Sequence, residues 1–356
     1  MPVRPQADFF VREHKRPELQ VLDKRLRGAT FVEHRVKSLI NSPESTGMGF
    51  WSINPYVGCE FGCTYCYARY AHQYVVRRAH DAGQIPQRDF SKYQASGTWD
   101  IFEQTIFIKQ RETVLWALER DLQRMHQRNQ RGQVCPLVIG TATDPYQPAE
   151  KTFHITKNVL QRLTRERGLS IGIISKSPLV CRDLDLLIEL HKRHRLTVYV
   201  SLITVNPDLI KLFETRSPQP HVRLKTLKRL TDANINAGLI VAPVLPGITD
   251  DVDQINELIR SAKAHGGRFA NPSPLRMYAA LHRGFLPIIK EHFPDLYPKY
   301  RRAYRGAGAA PKHYTDAIVR RFRKIANECG MPVRDPVLEG RQKATVVEDD
   351  QLGLFG

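Results

Sequence analysis

The chain has 356 residues, 42% of them hydrophobic, which suits one large α/β domain with appendages or two small domains. No apolar run is long enough to cross a bilayer or to serve as a signal peptide, so we expect a cytoplasmic protein whose six cysteines are reduced. The formal net charge of +18 and the pI of about 9.8 favour a polyanionic partner, nucleic acid first, over a membrane surface or a generally basic proteome.

The N-terminal residues 1–48 are basic and weakly periodic, so we predict an arm on the main domain rather than a part of its core. Its cations are Arg12, Lys15, Arg16, Lys24, Arg25 and Arg27. The arm could lie along a phosphate backbone or be a solvated extension, and charge alone leaves both interpretations open.

Strands then alternate with helices. The predicted strands cover residues 52–57, 105–109, 136–140, 169–176, 196–204, 238–244 and 268–277. The first predicted helix begins at about Thr64, and the second covers 111–127. The third follows Glu150 and ends at Gly168, and the fourth begins at Asp183. The fifth covers 221–235, and the sixth begins at Thr249 or Asp250. The polar stretch 80–103 is interpreted as an insertion. This alternation is typical of parallel βαβ units, and six such units predict an incomplete (β/α)6 barrel.

One loop concentrates three thiols at the C-terminal end of the first barrel strand. Its sequence is Asn54-Pro-Tyr-Val-Gly-Cys-Glu-Phe-Gly-Cys-Thr-Tyr-Cys-Tyr-Ala-Arg69, and its cysteines are Cys59, Cys63 and Cys66. A glycine before each of the first two cysteines lets the backbone turn tightly enough for the sulfurs to converge. Converging soft thiolates select zinc, copper(I) or an iron–sulfur cluster. Three cysteines without a fourth would leave one iron of a cubane open to another ligand.

Two alternatives remain for this loop. Structural zinc normally takes four protein ligands, so a zinc knuckle would need His72 or His80 as the fourth. The cysteines could also form a cluster that binds no metal.

The loop resembles that of the radical S-adenosylmethionine (SAM) enzymes. With Tyr65 before the third cysteine and the flanks Asn54–Tyr56 and Tyr67–Arg69, the loop is similar to that of the spore photoproduct lyase, or DNA-repair-photolyase-like, family. The resemblance covers roughly residues 52–278. It implies a partial TIM-like barrel of the radical SAM type, with chemistry at the C-terminal ends of the strands.

The resemblance also implies the cofactors. Cys59, Cys63 and Cys66 would ligate a four-iron, four-sulfur (4Fe–4S) cluster whose open iron chelates SAM. One electron from the cluster would cleave SAM to methionine and a 5′-deoxyadenosyl radical, with a flavodoxin or ferredoxin as the electron donor.

Five further positions match the family's site. Thr143 would receive the methionine ammonium, Lys176 would bind the methionine carboxylate, and Ser201 would reach SAM from the fourth strand. Tyr65 is assigned to the same cofactor site, and Tyr67 matches a tyrosine that relays the radical. Without a SAM site, Thr143 would be an ordinary threonine of an edge loop, Lys176 a surface lysine and Ser201 a serine at a strand end.

One position departs from the family. Spore photoproduct lyase keeps a cysteine hydrogen donor where this chain has Thr141, and a threonine hydroxyl is a far poorer hydrogen-atom donor. Cys135 precedes the same strand, at its other end, where we expect it to be out of reach. Cleavage of the thymine dimer therefore does not follow from the resemblance.

The C-terminal part has two features of its own. Residues 279–333 are predicted to form a helical basic extension, in which Tyr297–Arg305 and Arg320–Lys324 could line a nucleic-acid groove or a solvated helical face. Residues 334–356 are predicted to be a flexible tail. Its end, Gln351–Phe355, resembles the peptide that docks in the bacterial sliding clamp, or else packs on the protein's own surface.

The leading hypothesis is a radical SAM enzyme that acts on nucleic acid, with DNA-repair-like lyase chemistry. The alternatives are a radical SAM enzyme acting on RNA, protein or a small molecule, and a non-catalytic, metal-dependent DNA-binding factor recruited to the sliding clamp.

Overall fold

The computed structural model describes residues 21–24, 29–83, 85, 87–96, 102–130, 135–305 and 308–334. Most cations predicted for the N-terminal arm, and the clamp-like tail Gln351–Phe355, lie outside the described residues.

The described strands follow in chain order. They are β1 (Val21–Lys24), β2 (Thr30–His34), β3 (Ile40–Asn41), β4 (Trp51–Ile53), β5 (Tyr56–Val57), β6 (Thr105–Lys109), β7 (Leu137–Ile139), β8 (Ser170–Ser175), β9 (Arg195–Ser201), β10 (Asn236–Val244) and β11 (Ala270–Pro274).

The described helices begin with α1 (Pro43–Thr46), α2 (Arg69–Asp81), α3 (Gln87–Ser96), α4 (Arg111–Gln130), α5 (Glu150–Phe153), α6 (Ile155–Leu163), a 3-10 helix (Pro178–Asp183) and α7 (Leu184–Arg193). They continue with α8 (Pro207–Phe213), α9 (Pro220–Asp232), α10 (Val252–Ala264), α11 (Ala279–His292), α12 (Tyr297–Ala303) and α13 (Lys312–Glu328). None of them has the length and hydropathy of a membrane span.

The central sheet has the order β3-β4-β7-β8-β9-β10-β11. Its six strands from β4 to β11 pair in parallel, and only the short edge strand β3 is antiparallel. Their apolar side chains are buried because helices cover the sheet, as expected for parallel strands. The partial (β/α)6 barrel predicted from the sequence is confirmed, and its strands all direct their C-terminal ends to one edge.

A second sheet, in the order β1-β2-β6-β5, departs from the prediction. The stretch expected as one strand from residue 52 to residue 57 is two strands in different sheets, because the Asn54-Pro55 step interrupts the pairing. Strand β5 pairs with β6 and leads directly into the cysteine loop.

The segment expected to be only an arm also contributes to the core. Phe31 and Leu39 are fully buried, and β2 pairs in parallel with β6. The buried carboxylate of Asp121 on α4 accepts hydrogen bonds from the Leu39 and Ile40 amides at 2.7 and 3.0 Å. This anchor depends on a partner about eighty residues away in the sequence, so local periodicity did not reveal it.

Helix starts differ from the prediction by a few residues. Helix α2 begins at Arg69 rather than near Thr64, because the Thr64 amide and hydroxyl both donate to the carbonyl of Phe213. Asp251, rather than Thr249 or Asp250, caps α10 by accepting from the amides of its first turn.

The expected cap of α7 is also different. The carboxylate of Asp183 makes no capping hydrogen bond and instead pairs with Arg182 at 2.7 Å.

Candidate active site

The cysteine loop begins with a backbone turn that only glycine can make. Gly58 has a φ of 89°, and a Cβ there would lie 2.7 Å from the carbonyl oxygen of Thr105 and 2.8 Å from that of Phe102. The next residue, Cys59, donates its amide to the Phe102 carbonyl at 3.0 Å. Close packing against the residues around β6 therefore sets where the first thiol stands.

The segment after β7 holds the loop from one side. The Thr143 hydroxyl donates to the Gly58 carbonyl at 2.7 Å, and the Gln147 amide donates to the same oxygen at 3.2 Å. In return, the Glu60 amide donates to Gln147 at 2.9 Å, while the Glu60 carboxylate accepts from the Ala149 amide at 2.6 Å. Thr143 thus uses its own hydrogen to fix the loop, and its oxygen accepts from Gln147 at 2.9 Å.

The segment after α8 holds the loop from the other side. The Cys63 sulfur lies 3.8 Å from the Ser217 hydroxyl oxygen, and the Thr64 amide donates to the Phe213 carbonyl at 2.9 Å. The buried Arg69 guanidinium donates to the Cys63 carbonyl at 3.2 Å. Two separate chain segments therefore fix the loop between them.

The thiols of Cys59 and Cys63 are buried and that of Cys66 is partly buried, and burial raises the pKa of each. It raises the pKa of Cys63 to about 12, and the pKa values of Cys59 and Cys66 also rise. Cys63 is close enough to both other cysteines for their charges to interact. Burial disfavours the charged thiolate, whereas a bound metal would favour it and displace the proton.

The zinc alternative finds no support. Among the residues that the structure describes, no three His, Cys, Asp or Glu side chains stand close enough to hold a single ion. A cubane places its thiolates on different irons, so its ligands stand further apart than those of one ion. The donor set of three soft sulfurs, two of them buried, fits such a cluster.

Both histidines proposed as a fourth zinc ligand have other partners in the structure. His72 donates from Nε2 to the Thr105 carbonyl at 3.2 Å and packs against Phe102 and Phe107, where burial lowers its pKa to about 4. His80 donates to Gln87 at 2.8 Å.

Two of the predicted SAM residues meet at the ends of adjacent strands, and a third, Tyr65 of the cysteine loop, lies beside them. Lys176 follows β8, and its ammonium donates to the hydroxyl of Ser201, the last residue of β9, at 2.8 Å. The same nitrogen lies 5.9 Å from the centre of the Tyr65 ring. Burial would lower the pKa of Lys176, but Glu214 and Cys63 outweigh it and raise that pKa. Lys176 is therefore a largely buried, charged ammonium at the barrel edge.

A buried pair that the sequence analysis missed supports this lysine. Glu214 lies 3.9 Å from the Lys176 ammonium, accepts from the Tyr65 hydroxyl and pairs with Arg223. Both side chains of the Glu214–Arg223 pair are 0% exposed. Burial would raise the pKa of Glu214, but Arg223 and Lys176 outweigh it and lower that pKa. In the sequence, both residues look like ordinary helix-end charges.

Asp144 links the Thr143 segment to the lysine. Its carboxylate accepts from the Lys176 amide at 2.7 Å and from the Ser175 hydroxyl at 2.8 Å. Burial raises the pKa of Asp144, although these hydrogen bonds oppose the rise. The ends of β7 and β8 are thereby joined at the site.

The tyrosine predicted to relay the radical lies beside the departing position. Tyr67 donates its phenol hydrogen to the Thr141 carbonyl, while Asn54 donates to the Thr141 hydroxyl at 3.1 Å. The buried ammonium of Lys109 donates to the Asn54 carbonyl, and burial lowers its pKa to about 8. Cys135 precedes β7 whereas Thr141 follows it, so the thiol lies at the other end of the strand, as expected.

Comparison with known proteins places this architecture in a family. The model of the radical SAM superfamily matches residues 53–259. An uncharacterized protein of Mycobacterium tuberculosis is 28% identical over 293 residues, which cover 82% of this chain and 78% of that protein. An uncharacterized protein of Methanocaldococcus jannaschii is 24% identical over 293 residues, covering 82% of this chain and 93% of that protein.

Solved structures agree on the fold. A variant of spore photoproduct lyase with bound AdoMet and dinucleoside spore photoproduct has a TM-score of 0.58 and 14% identity, and the match covers 84% of this chain and 79% of that chain.

A parallel partial barrel with a three-cysteine loop at its C-terminal edge defines a class of SAM-dependent radical enzymes. The chain belongs to the radical SAM superfamily. Its cofactors are accordingly a 4Fe–4S cluster and SAM.

Proposed function

We propose that this chain is a radical SAM enzyme that acts on nucleic acid, with lyase chemistry of the DNA-repair kind. The observation that carries the proposal is the meeting of Lys176, Ser201 and Tyr65 at the same barrel edge as the cysteine loop. The catalytic unit is assigned to residues 49–278, with the arm, the helical extension and the tail as accessories.

The proposal gives each residue of the site a task. Cys59, Cys63 and Cys66 would hold the cluster, which when bound supplies the electron that cleaves SAM to methionine and a 5′-deoxyadenosyl radical. Lys176 is suited to the methionine carboxylate because its largely buried ammonium is charged and, besides the hydrogen bond to Ser201, can donate to a second acceptor. Thr143 would accept a hydrogen bond from the methionine ammonium.

Two supports favour nucleic acid as the substrate. The first is the charge of +18, together with the exposed Arg320, Arg321, Arg323 and Lys324 on α13. The second is the fold shared with a lyase whose structure contains a dinucleoside spore photoproduct. Because Thr141 stands at the hydrogen-donor position, we assign the exchange of a hydrogen atom to Tyr67, whose phenol contacts the Thr141 carbonyl, and the lesion need not be a thymine dimer.

The test is reductive SAM cleavage. The protein would be reconstituted anaerobically with iron and sulfide, reduced with dithionite, and assayed for 5′-deoxyadenosine with and without duplex DNA. We expect a yield that rises with DNA, is abolished in Cys63→Ala, and is unchanged in the control Cys135→Ala, whose thiol precedes β7.

The other outcomes separate the alternatives. Cleavage that is indifferent to DNA would move the substrate to RNA, protein or a small molecule. A fully loaded cluster that cleaves no SAM would leave a metal-dependent DNA-binding factor, and the enzymatic proposal would be wrong.

Two partners complete the proposal. A flavodoxin or ferredoxin would deliver the electron, and Gln351–Phe355 would bind the sliding clamp through its leucines and phenylalanine. Removal of residues 351–356 should abolish binding to the immobilised clamp without changing 5′-deoxyadenosine formation. Retained clamp binding would refute the role of this tail.

A further inference from the structure

The hydroxyl group of Ser217 lies against one sulfur of the cysteine loop. Its oxygen is 3.8 Å from the Cys63 sulfur, a hydrogen-bond distance for sulfur, and both residues are buried. In the part of the chain that the structure describes, this hydroxyl makes no other hydrogen bond. A thiol could donate to the serine, but a thiolate that binds iron has no hydrogen to donate. With a cluster bound, Ser217 is therefore the donor and the sulfur is the acceptor.

The turn that carries Ser217 is held in place by Arg223. The guanidinium pairs with the Glu214 carboxylate and donates to the Pro218 carbonyl at 2.7 Å, so it contacts the turn on both sides of the serine. Within the turn, the Ser217 amide donates to the Glu214 carbonyl at 2.9 Å. These bonds fix the backbone of the turn, and the hydroxyl therefore reaches the sulfur from a fixed position.

The other two thiols meet backbone donors instead. Burial raises the pKa of Cys59, and hydrogen bonds from the amides of Asp144 and Phe61 oppose the rise. Burial also raises the pKa of Cys66, where a hydrogen bond from the Ala68 amide opposes the rise. The donor at the third thiol is thus a side chain, which a substitution can remove without altering the backbone.

A hydrogen bond to a ligating sulfur changes how readily a cluster accepts an electron. Reduction increases the negative charge on the sulfur ligands, and a donor stabilises that charge more in the reduced state than in the oxidised one. Hydrogen bonds to the sulfurs are accordingly among the factors that set the reduction potential of iron–sulfur clusters. The electron comes from an external reductant, a flavodoxin or ferredoxin in our proposal. No bond is made or broken at the serine, whose hydrogen stays on its oxygen.

We propose that Ser217 is a positioning residue that raises the reduction potential of the cluster through the Cys63 sulfur. Its hydrogen bond makes the transfer of an electron from the external reductant to the cluster more favourable. The inference requires the cluster but no particular substrate, so it goes beyond the proposed function and does not depend on a nucleic-acid substrate.

Redox titration of the reconstituted full chain tests this role. The protein is equilibrated anaerobically with dithionite and mediator dyes, without SAM or nucleic acid, and the electron paramagnetic resonance signal of the reduced cluster is followed against potential. We expect Ser217→Ala to make reduction about tenfold less favourable, which corresponds to a fall of about 59 mV in the midpoint potential for one electron. Ser217→Thr keeps a hydroxyl group and should have the wild-type potential.

The matched control is Ser52→Ala. Ser52 is 0% exposed on β4, and its hydroxyl accepts from Asn41 of β3 at 3.4 Å. The same atom is removed from a buried site, so the midpoint potential should not change. Iron content and circular dichroism are measured for every variant, and Ser217→Gly replaces Ser217→Ala if the latter does not load iron.

Three results would overturn the proposal. One is a fully loaded Ser217→Ala protein with the wild-type potential. Another is an equal fall in potential in Ser52→Ala or in Ser217→Thr, which would separate the effect from the hydroxyl group. The third is loss of iron from both variants without the hydroxyl, which would assign the serine to holding the loop. The titration involves no SAM cleavage, so failure of this inference is distinguished from failure of the proposed function.

Discussion

Replacing Glu214 with glutamine should strongly destabilise the chain, because one buried carboxylate serves three donors. It accepts from the Tyr65 hydroxyl, pairs with Arg223 and lies 3.9 Å from the Lys176 ammonium. A glutamine of the same shape loses the charge, and its amide group must direct N–H donors towards Tyr65 or Arg223, which are donors themselves.

The magnitude follows from the burial of the pair. Both side chains are 0% exposed, and the remaining Arg223 donors already bond the carbonyls of Pro218 at 2.7 Å and Ser201 at 2.9 Å. The guanidinium therefore has no route to solvent. Removing one partner of such a pair costs about 3–5 kcal/mol. For a chain of 356 residues, that corresponds to a fall in Tm of roughly 4–7 °C.

The assay is thermal and urea unfolding followed by circular dichroism under anaerobic conditions. The double variant Glu214→Gln/Arg223→Met should recover part of the loss, because no unpaired charge stays buried. Glu44→Gln breaks the surface pair with Arg128 and serves as the control, with little change expected. A Glu214→Gln protein as stable as the wild type would refute the reasoning.

Three further predictions concern the loop and its surroundings. Gly58→Ala should abolish iron uptake because its Cβ meets two backbone oxygens, whereas Gly83→Ala, also at positive φ but in open space, should not. Burial lowers the pKa of Lys109 from 10.5 to about 8. The free energy of unfolding should therefore rise by about 3 kcal/mol as the pH increases from about 8 to 10.5, because the unfolded chain then holds a proton that the folded chain has lost. Lys109→Met should remove this rise, as measured by urea unfolding. Thr143→Val should weaken SAM binding, measured by calorimetry, and lower iron retention.

The barrel and the cysteine loop could be predicted from the sequence because both depend on patterns between residues that are close together in the chain. Apolar periodicity marks each βα unit, and the cysteine spacing, with Lys176 and Ser201 at successive strand ends, marks the site. The supporting residues were not predicted. Glu214 and Arg223 occupy loop and helix positions at which a charge is normally solvated. The packing of α9 against β9 buries them.

The same limit explains the N-terminal segment. Phe31 belongs to a short, basic stretch without clear periodicity, and its strand is stabilised by pairing with β6, which is distant in the sequence. A local pattern carries no information about such a partner. The aromatic residues around α12 are a case in which the sequence left two alternatives, a nucleic-acid groove and a solvated helical face with its tyrosines packed inward. Tyr300 and Tyr304 are buried, which favours the helical face.

The contacts of the cysteine loop also bear on how the cofactor enters. Gly58 and Glu60 are held by the segment after β7, while Cys63 and Thr64 are held by the segment after α8. These hydrogen bonds join protein groups only, so they would hold the loop with or without iron. Burial raises the pKa values of the three thiols, so binding of the cluster would release their protons. This is why iron content, and not folding, is the direct measure of a change at Gly58.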